Sequence, residues 1–165
     1  MSIVWWNPIS QRLVSDTLAL HGDSIRRTSK IKSLSGGRFV GSVGDPNIRE
    51  SVGQDGVGLW PRISPNVKCQ DGSAIIIEPT PRPKLWLMAV NGGSSTVQKL
   101  DVDQCIAIGS GAEIVPVLID LGLSDEEIAK ALVKRVHGIA APFEWMSSSR
   151  QLNVLPDAVP EKELV

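Results

Sequence analysis

Residues 30–44 read Lys30-Ile31-Lys32-Ser33-Leu34-Ser35-Gly36-Gly37-Arg38-Phe39-Val40-Gly41-Ser42-Val43-Gly44. The first five alternate strictly between polar and apolar, the period of a half-buried strand. Ser35-Gly36-Gly37 places glycines where a tight turn needs positive φ. Residues 38–44 then return with aromatic and β-branched side chains. The stretch predicts an antiparallel hairpin, and hence a sheet protein around it.

Upstream, Ser2-Ile3-Val4-Trp5-Trp6 opens directly as a strand, Asn7-Pro8 turns, and Arg12-Leu13-Val14-Ser15-Asp16 returns. Adjacent Trp5 and Trp6 must face opposite sides of a strand, one toward the core and the other toward a subunit interface. Downstream, Asp45-Pro46 starts a helix, with proline suited to its first position. Gly53, Gly56, Gly58 and Pro61 stop it within about two turns. Further strands are expected at 73–78 and 84–90, joined by the proline-rich 79–83. Asn91-Gly92-Gly93 leads into another at 94–99. Residues 105–108 read as a short buried strand feeding Gly109-Ser110-Gly111.

Two helices follow. The first is expected over 112–121, with Pro116 in its first turn or kinking it. The second starts at the capping box Ser124-Asp125-Glu126-Glu127. Ile128, Leu132 and Val136 share its apolar face and Gly138 closes it. A last strand is expected over 140–146, before a weakly ordered tail from 147 to 165. Strands, then two adjacent helices, then a strand argue for an α+β fold with antiparallel sheets.

Composition bounds the function. The 165 residues fit one domain with its own core. A net charge of −1 gives no global attraction to nucleic acid or anionic membrane. Runs such as Ala74-Ile75-Ile76-Ile77 are too short to span a bilayer, and no targeting leader is evident. A cytoplasmic setting is the default. Cys69 and Cys105 lack metal or disulfide spacing and read as small buried hydrophobes. His21 and His137 have no ligand partners in the pattern, so neither a metal nor a cofactor is expected.

Several pieces, in order, resemble the proteasome β-type subunits and the bacterial two-component ATP-dependent peptidase. They are Ser2 before Ile3-Val4, Asp16 closing the second strand, the Lys30–Leu34 strand with its glycine-containing return, and Ile106-Ala107-Ile108-Gly109-Ser110-Gly111 before a helix. The capped helix beginning at Ser124 sits where that family has a similar one. The resemblance spans about residues 1–44 and 73–142. It implies two stacked antiparallel β-sheets flanked by helices, the αββα N-terminal-nucleophile sandwich. Because 45–72 holds glycine- and proline-rich sequence where the family has long helices, one helical layer is expected to be reduced. The sheet face left bare would need a cover, from a partner subunit or from a plug around Leu59-Trp60-Pro61.

The resemblance also implies a site. Ser2, exposed if Met1 is removed, would be the nucleophile. Its own α-amine, with a pKa of about 8, would be the base. Asp16 would orient Lys30, and Lys30 would lower the proton affinity of the nucleophile. The Gly41 N–H would hold the oxyanion, a donor worth roughly 3 kcal/mol. Ser110 would support the amine. A peptidase or amidohydrolase acting on peptides within a homo-oligomeric ring follows.

Each residue also has an ordinary reading. Ser2 starts a strand, Asp16 caps a turn, Lys30 is a solvated strand lysine, Gly41 permits close sheet packing, and Ser110 N-caps a helix. Aligned on Ile3-Val4, Met1 occupies the nucleophile's column and Ser2 the next. That register favours an alternative: an inactive structural or assembly subunit of a larger complex, with a virion as its setting. Arg26, Arg27, Lys30 and Lys32 form a local basic cluster, a weaker pointer to phosphate or nucleic acid than to a solvated edge.

Overall fold

The computed structural model describes residues 1–21, 24–52, 70–79, 82–92 and 94–156. The chain begins with β1 (Ile3–Asn7), β2 (Arg12–Asp16), β3 (Leu18–His21), β4 (Ser24–Arg27), β5 (Ile31–Ser33) and β6 (Phe39–Gly44). A short helix α1 (Asn47–Ser51) follows, then β7 (Gly72–Glu78), β8 (Lys84–Asn91), β9 (Ser94–Leu100) and β10 (Ile106–Gly109). Helices α2 (Val115–Asp120) and α3 (Asp125–Arg135) precede β11 (Phe143–Met146) and β12 (Asn153–Val154). One antiparallel sheet runs β10-β1-β2-β11-β12 and another β5-β6-β7-β8-β9, with β3-β4 as a separate hairpin. The fold is α+β, dominated by antiparallel sheet.

The expected hairpin forms between β5 and β6, paired Ile31 to Gly41 and Ser33 to Phe39. Its turn is a 3₁₀ segment over Ser35–Gly37, closed by Leu34 N–H to Arg38 O at 2.7 Å. Gly36 sits at φ 73°, the left-handed region that glycine enters without steric cost.

Among the described residues, three apolar clusters hold these elements together. Val4, Trp6 and Leu13 of the first sheet meet Ile31, Phe39, Ile75 and Leu85 of the second. On the opposite face of the first sheet, Ile3, Trp5 and Val14 pack with Val115 and Ile119 of α2 and with Ile128 and Leu132 of α3. Both faces of β1 are thus covered, and both tryptophans are buried, Trp5 at 0% and Trp6 at 4% exposure. This corrects the expectation of an interface tryptophan: a central strand with layers on both sides buries every residue, not alternate ones. Burial of side chains of this size contributes about 1.5–3 kcal/mol each.

The third cluster joins Val40, Ala74, Ile76, Trp86, Met88 and Val90 to Ile48 and Val52 at α1. This is the sheet face expected to lie bare, and it is buried within the single chain. The helix predicted after Asp45-Pro46 is present but only five residues long, with Asp45 Oδ1 accepting from Asn47 N–H at 2.9 Å. Leu59-Trp60-Pro61, the helix-stopping glycines, Cys69 and the tail beyond 156 lie outside the described residues.

Helix α2 is shorter than expected, starting at Val115 with Pro116 in its first turn. The capping box is complete: Ser124 Oγ accepts from Glu127 N–H at 3.2 Å, and Glu127 Oε1 from Ser124 N–H at 3.1 Å. The Ser124 N–H, and after it the Ser124 hydroxyl, hold the exposed Glu127 carboxyl below its ordinary value. The tail is ordered further than expected. Asn153 pairs with Trp145, and Leu155 is buried with its N–H on Phe143 O at 2.8 Å. Among the described residues, no helix is long and apolar enough to cross a membrane.

One buried carboxylate locks α3 to the first sheet. Asp125 Oδ1 accepts from Trp5 Nε1 at 3.1 Å and Asn7 Nδ2 at 2.9 Å, and its Oδ2 from Ser10 Oγ at 2.6 Å. Asp125→Ala should destabilise the protein by about 3 kcal/mol, because two buried donors lose their acceptor. Chemical denaturation measures this directly; a loss below about 1 kcal/mol would mean that the donors find other partners.

Candidate active site

The site starts at the last residue of β2. Asp16 is fully buried, and its Oδ1 accepts from Lys30 Nζ at 2.8 Å and from the Ile3 N–H at 3.0 Å. Lys30, only 4% exposed, also donates to Leu18 O at 2.7 Å. Asp16 Oδ2 has no hydrogen-bond partner among the described residues. Burial pushes the Lys30 pKa down, more strongly than Asp16 raises it, and Arg49 and Arg27 push the same way as burial. The lysine predicted as a strand residue is therefore a desolvated cation on a buried carboxylate, not a solvated one.

The start of β1 is held from its other side. Gly109 lies opposite Ile3, and Ser110 N–H donates to Ser2 O at 2.8 Å. Gly109 has φ 100°, and a Cβ there would run into the Ser2 carbonyl, so only glycine lets the two chains approach. Ile3 and Trp5 face the helices while Val4 and Trp6 face the second sheet. Extending that alternation places the Ser2 side chain on the side of the second sheet. Met1 lies over Gly138 and also lines the cleft.

These elements enclose a cleft of about 550 Å³. Ser2, Thr28, Lys30, Ser42, Arg49 and Ser110 supply its polar wall. Of the sequence-predicted residues, Ser2, Lys30 and Ser110 meet in this cleft, with Asp16 buried behind Lys30. Gly41 does not join them. A Cβ on Gly41 would point at Val4 and Leu13 in the inter-sheet core. Ser42 N–H donates across to Lys30 O at 3.1 Å, so the strand's alternation turns the Gly41 N–H toward β7 and away from the cleft. Ser42, Val43 and Gly44 are the β6 residues that line the cleft, and Gly41 sits behind them against the inter-sheet core. Ser110 also does not cap the next helix, whose N-cap is Ile114 without a side-chain bond.

Arg49 was not anticipated. It lies on α1, one turn after Pro46, and both line the cleft. Its Nη1 donates to Ser42 Oγ at 3.2 Å, and burial lowers its pKa. The helix-start signal at Asp45-Pro46 is the one feature of the sequence that could have placed it. The basic cluster disperses: Arg26 and Arg27 are exposed on β4, Lys32 pairs with Glu50 at 2.6 Å, and Lys30 is buried. Cys105 is half-buried and free, and burial pushes its thiol up to about 11, which leaves it unreactive at neutral pH. Among the described residues, no three His, Cys, Asp or Glu side chains gather as a metal site.

No family model and no curated protein matches this sequence. Among solved structures, the fold is similar to that of Anbu from Hyphomicrobium sp. strain MC1, with a TM-score of 0.55. Identity is 14%, and the alignment covers 92% of this chain and 84% of that one. Anbu has the bacterial proteasome-like, N-terminal-nucleophile hydrolase fold, and the likeness is one of fold.

The buried pair sets stability. Lys30→Met leaves Asp16 an uncompensated buried charge and should cost about 3–5 kcal/mol, whereas Lys30→Met with Asp16→Leu should cost much less. A double-mutant cycle by denaturation measures the difference. Because the folded Lys30 pKa lies below 10.5, the unfolded chain alone holds this proton in the window between the two values. Lys30 therefore makes stability rise with pH there, having opposed folding at lower pH, and the double variant should lack that rise.

Proposed function

We propose that the chain is a proteasome-like N-terminal-nucleophile peptidase or amidohydrolase subunit. The observation that carries this reading is the buried Asp16–Lys30 pair set against a cleft that also receives Ser2 and Ser110. With Met1 removed, Ser2 Oγ attacks the carbonyl carbon of a bound amide and its proton passes to the Ser2 α-amine. That amine returns the proton to the departing nitrogen, leaving an ester on Ser2, and water then hydrolyses the ester. Lys30, held by Asp16, lowers the proton affinity of the amine and of the hydroxyl through its charge. The cationic wall also favours negative charge developing on the carbonyl oxygen. In this reading the three apolar clusters are the layers of an αββα sandwich with α1 as its reduced helical layer. The protein works as a homo-oligomer on peptide substrates.

A specific observation favours a second reading, a structural or assembly subunit that keeps Met1. The Met1 side chain lies over Gly138, where a Cβ would stand 3.0 Å from Met1 Cε. A retained Met1 withholds the Ser2 amine and so removes the base.

Intact-mass spectrometry after exposure to an epoxyketone, which reacts with an N-terminal hydroxyl and its amine together, separates the two. The enzyme reading expects loss of Met1 and one adduct, abolished in Ser2→Ala, with amide hydrolysis falling at least roughly a hundredfold in that variant. Retained Met1 with no adduct supports the structural reading.

A further inference from the structure

The cleft is electrostatically one-sided. Its described lining includes two cations, Lys30 and Arg49, and no carboxylate. Asp16 is occupied with Lys30, and Glu50, the acid next to Arg49, is held by Lys32 at 2.6 Å. Arg49 itself is half-buried, and among the described residues its hydrogen-bond partner is the neutral Ser42 Oγ. A guanidinium carries five donors in a planar fork suited to a carboxylate. Withdrawing such a group from water with a single hydroxyl as acceptor is unfavourable, and an incoming carboxylate would reverse that balance. Lys30 adds its charge from the neighbouring wall, and the Thr28 and Ser42 hydroxyls supply further donors.

We propose that Arg49 is a specificity-determining residue that seats an acidic side chain of the substrate in this cleft, next to Ser2. The inference rests on the peptidase reading and names its substrate class: peptides with glutamate or aspartate at the residue whose carbonyl is attacked. The acidic carboxylate takes the guanidinium fork. A lysine or arginine at the same position would meet two like charges in a partly desolvated space.

The test uses fluorogenic peptides that differ only in Glu, Gln or Lys at that residue. The wild-type protein should prefer Glu over Gln by roughly tenfold or more in kcat/KM, the size of a charge-assisted hydrogen-bond pair, and Lys least of all. Arg49→Gln should collapse the Glu-to-Gln ratio toward one. Lys99→Gln, which removes one positive charge on exposed β9, should leave the ratio unchanged. A guanidinium present only to hold Ser42 would lower stability on substitution and leave the ratio as it was, and that result overturns the proposal. If the protein cleaves none of the peptides and takes no epoxyketone adduct, the peptidase reading fails by itself. Binding of N-acetyl-glutamate amide and N-acetyl-glutamine amide, followed by NMR, then decides the cleft's preference. Selective binding of the acidic ligand, lost in Arg49→Gln, upholds it; equal binding, or none, overturns it.

Discussion

A single carboxylate oxygen, Asp16 Oδ1, is shared by the Ile3 amide and the Lys30 ammonium, and the geometry of the cleft depends on it. The two donors come from different sheets. The bond to Ile3 fixes where β1 begins, and the bond to Lys30 fixes where β5 enters the second sheet. Both lie at full burial, where an unpaired charge is strongly unfavourable, so neither partner is free to leave. The inter-sheet core supplies most of the burial energy, but apolar contacts alone do not set where a strand's first residue sits. This polar bond does.

The two ends of the chain's first segment are consequently treated differently. Ser2 is gripped through its backbone, by Ser110 N–H on its carbonyl and by Asp16 on the next amide, which leaves its side chain on the cleft side. Met1 contributes no such bond and rests on Gly138. Neither of the bonds that position Ser2 involves Met1, whose removal would uncover the Ser2 amine. The same economy explains the short α1. Five residues suffice to bring Ile48 and Val52 onto the outer face of the second sheet while Arg49, between them in sequence, reaches the cleft.

Much of this was legible from residue order. Alternation between Lys30 and Leu34, the glycines at 36 and 37, and the Ser124 capping box each carry local physics strong enough to survive tertiary packing. That Ser2, Lys30 and Ser110 come to one cleft with Asp16 behind them was legible through motif order. The failures have identifiable causes. That Gly41 faces the inter-sheet core while Ser42 lines the cleft was not legible, because a strand's period is two and one residue of register decides the face. The β3-β4 hairpin went unread, although Gly22-Asp23 is a two-residue turn signal, because its β4 side chains are all exposed and give no burial pattern. Arg49 was missed because a five-residue helix has too few turns to display an amphipathic face. Strand β12 is two residues long, and its pairing with β11 is a long-range contact that no local pattern announces.

The most direct measurement is a crystal structure of the chain prepared with Ser2 as its first residue, by removal of Met1. The account predicts that Asp16 Oδ1 keeps both Lys30 and the Ile3 amide, that Ser110 N–H stays on the Ser2 carbonyl, and that the new amine opens into the cleft beside Lys30. An Ile3 amide released from Asp16, or a first strand paired in a different register, would contradict it.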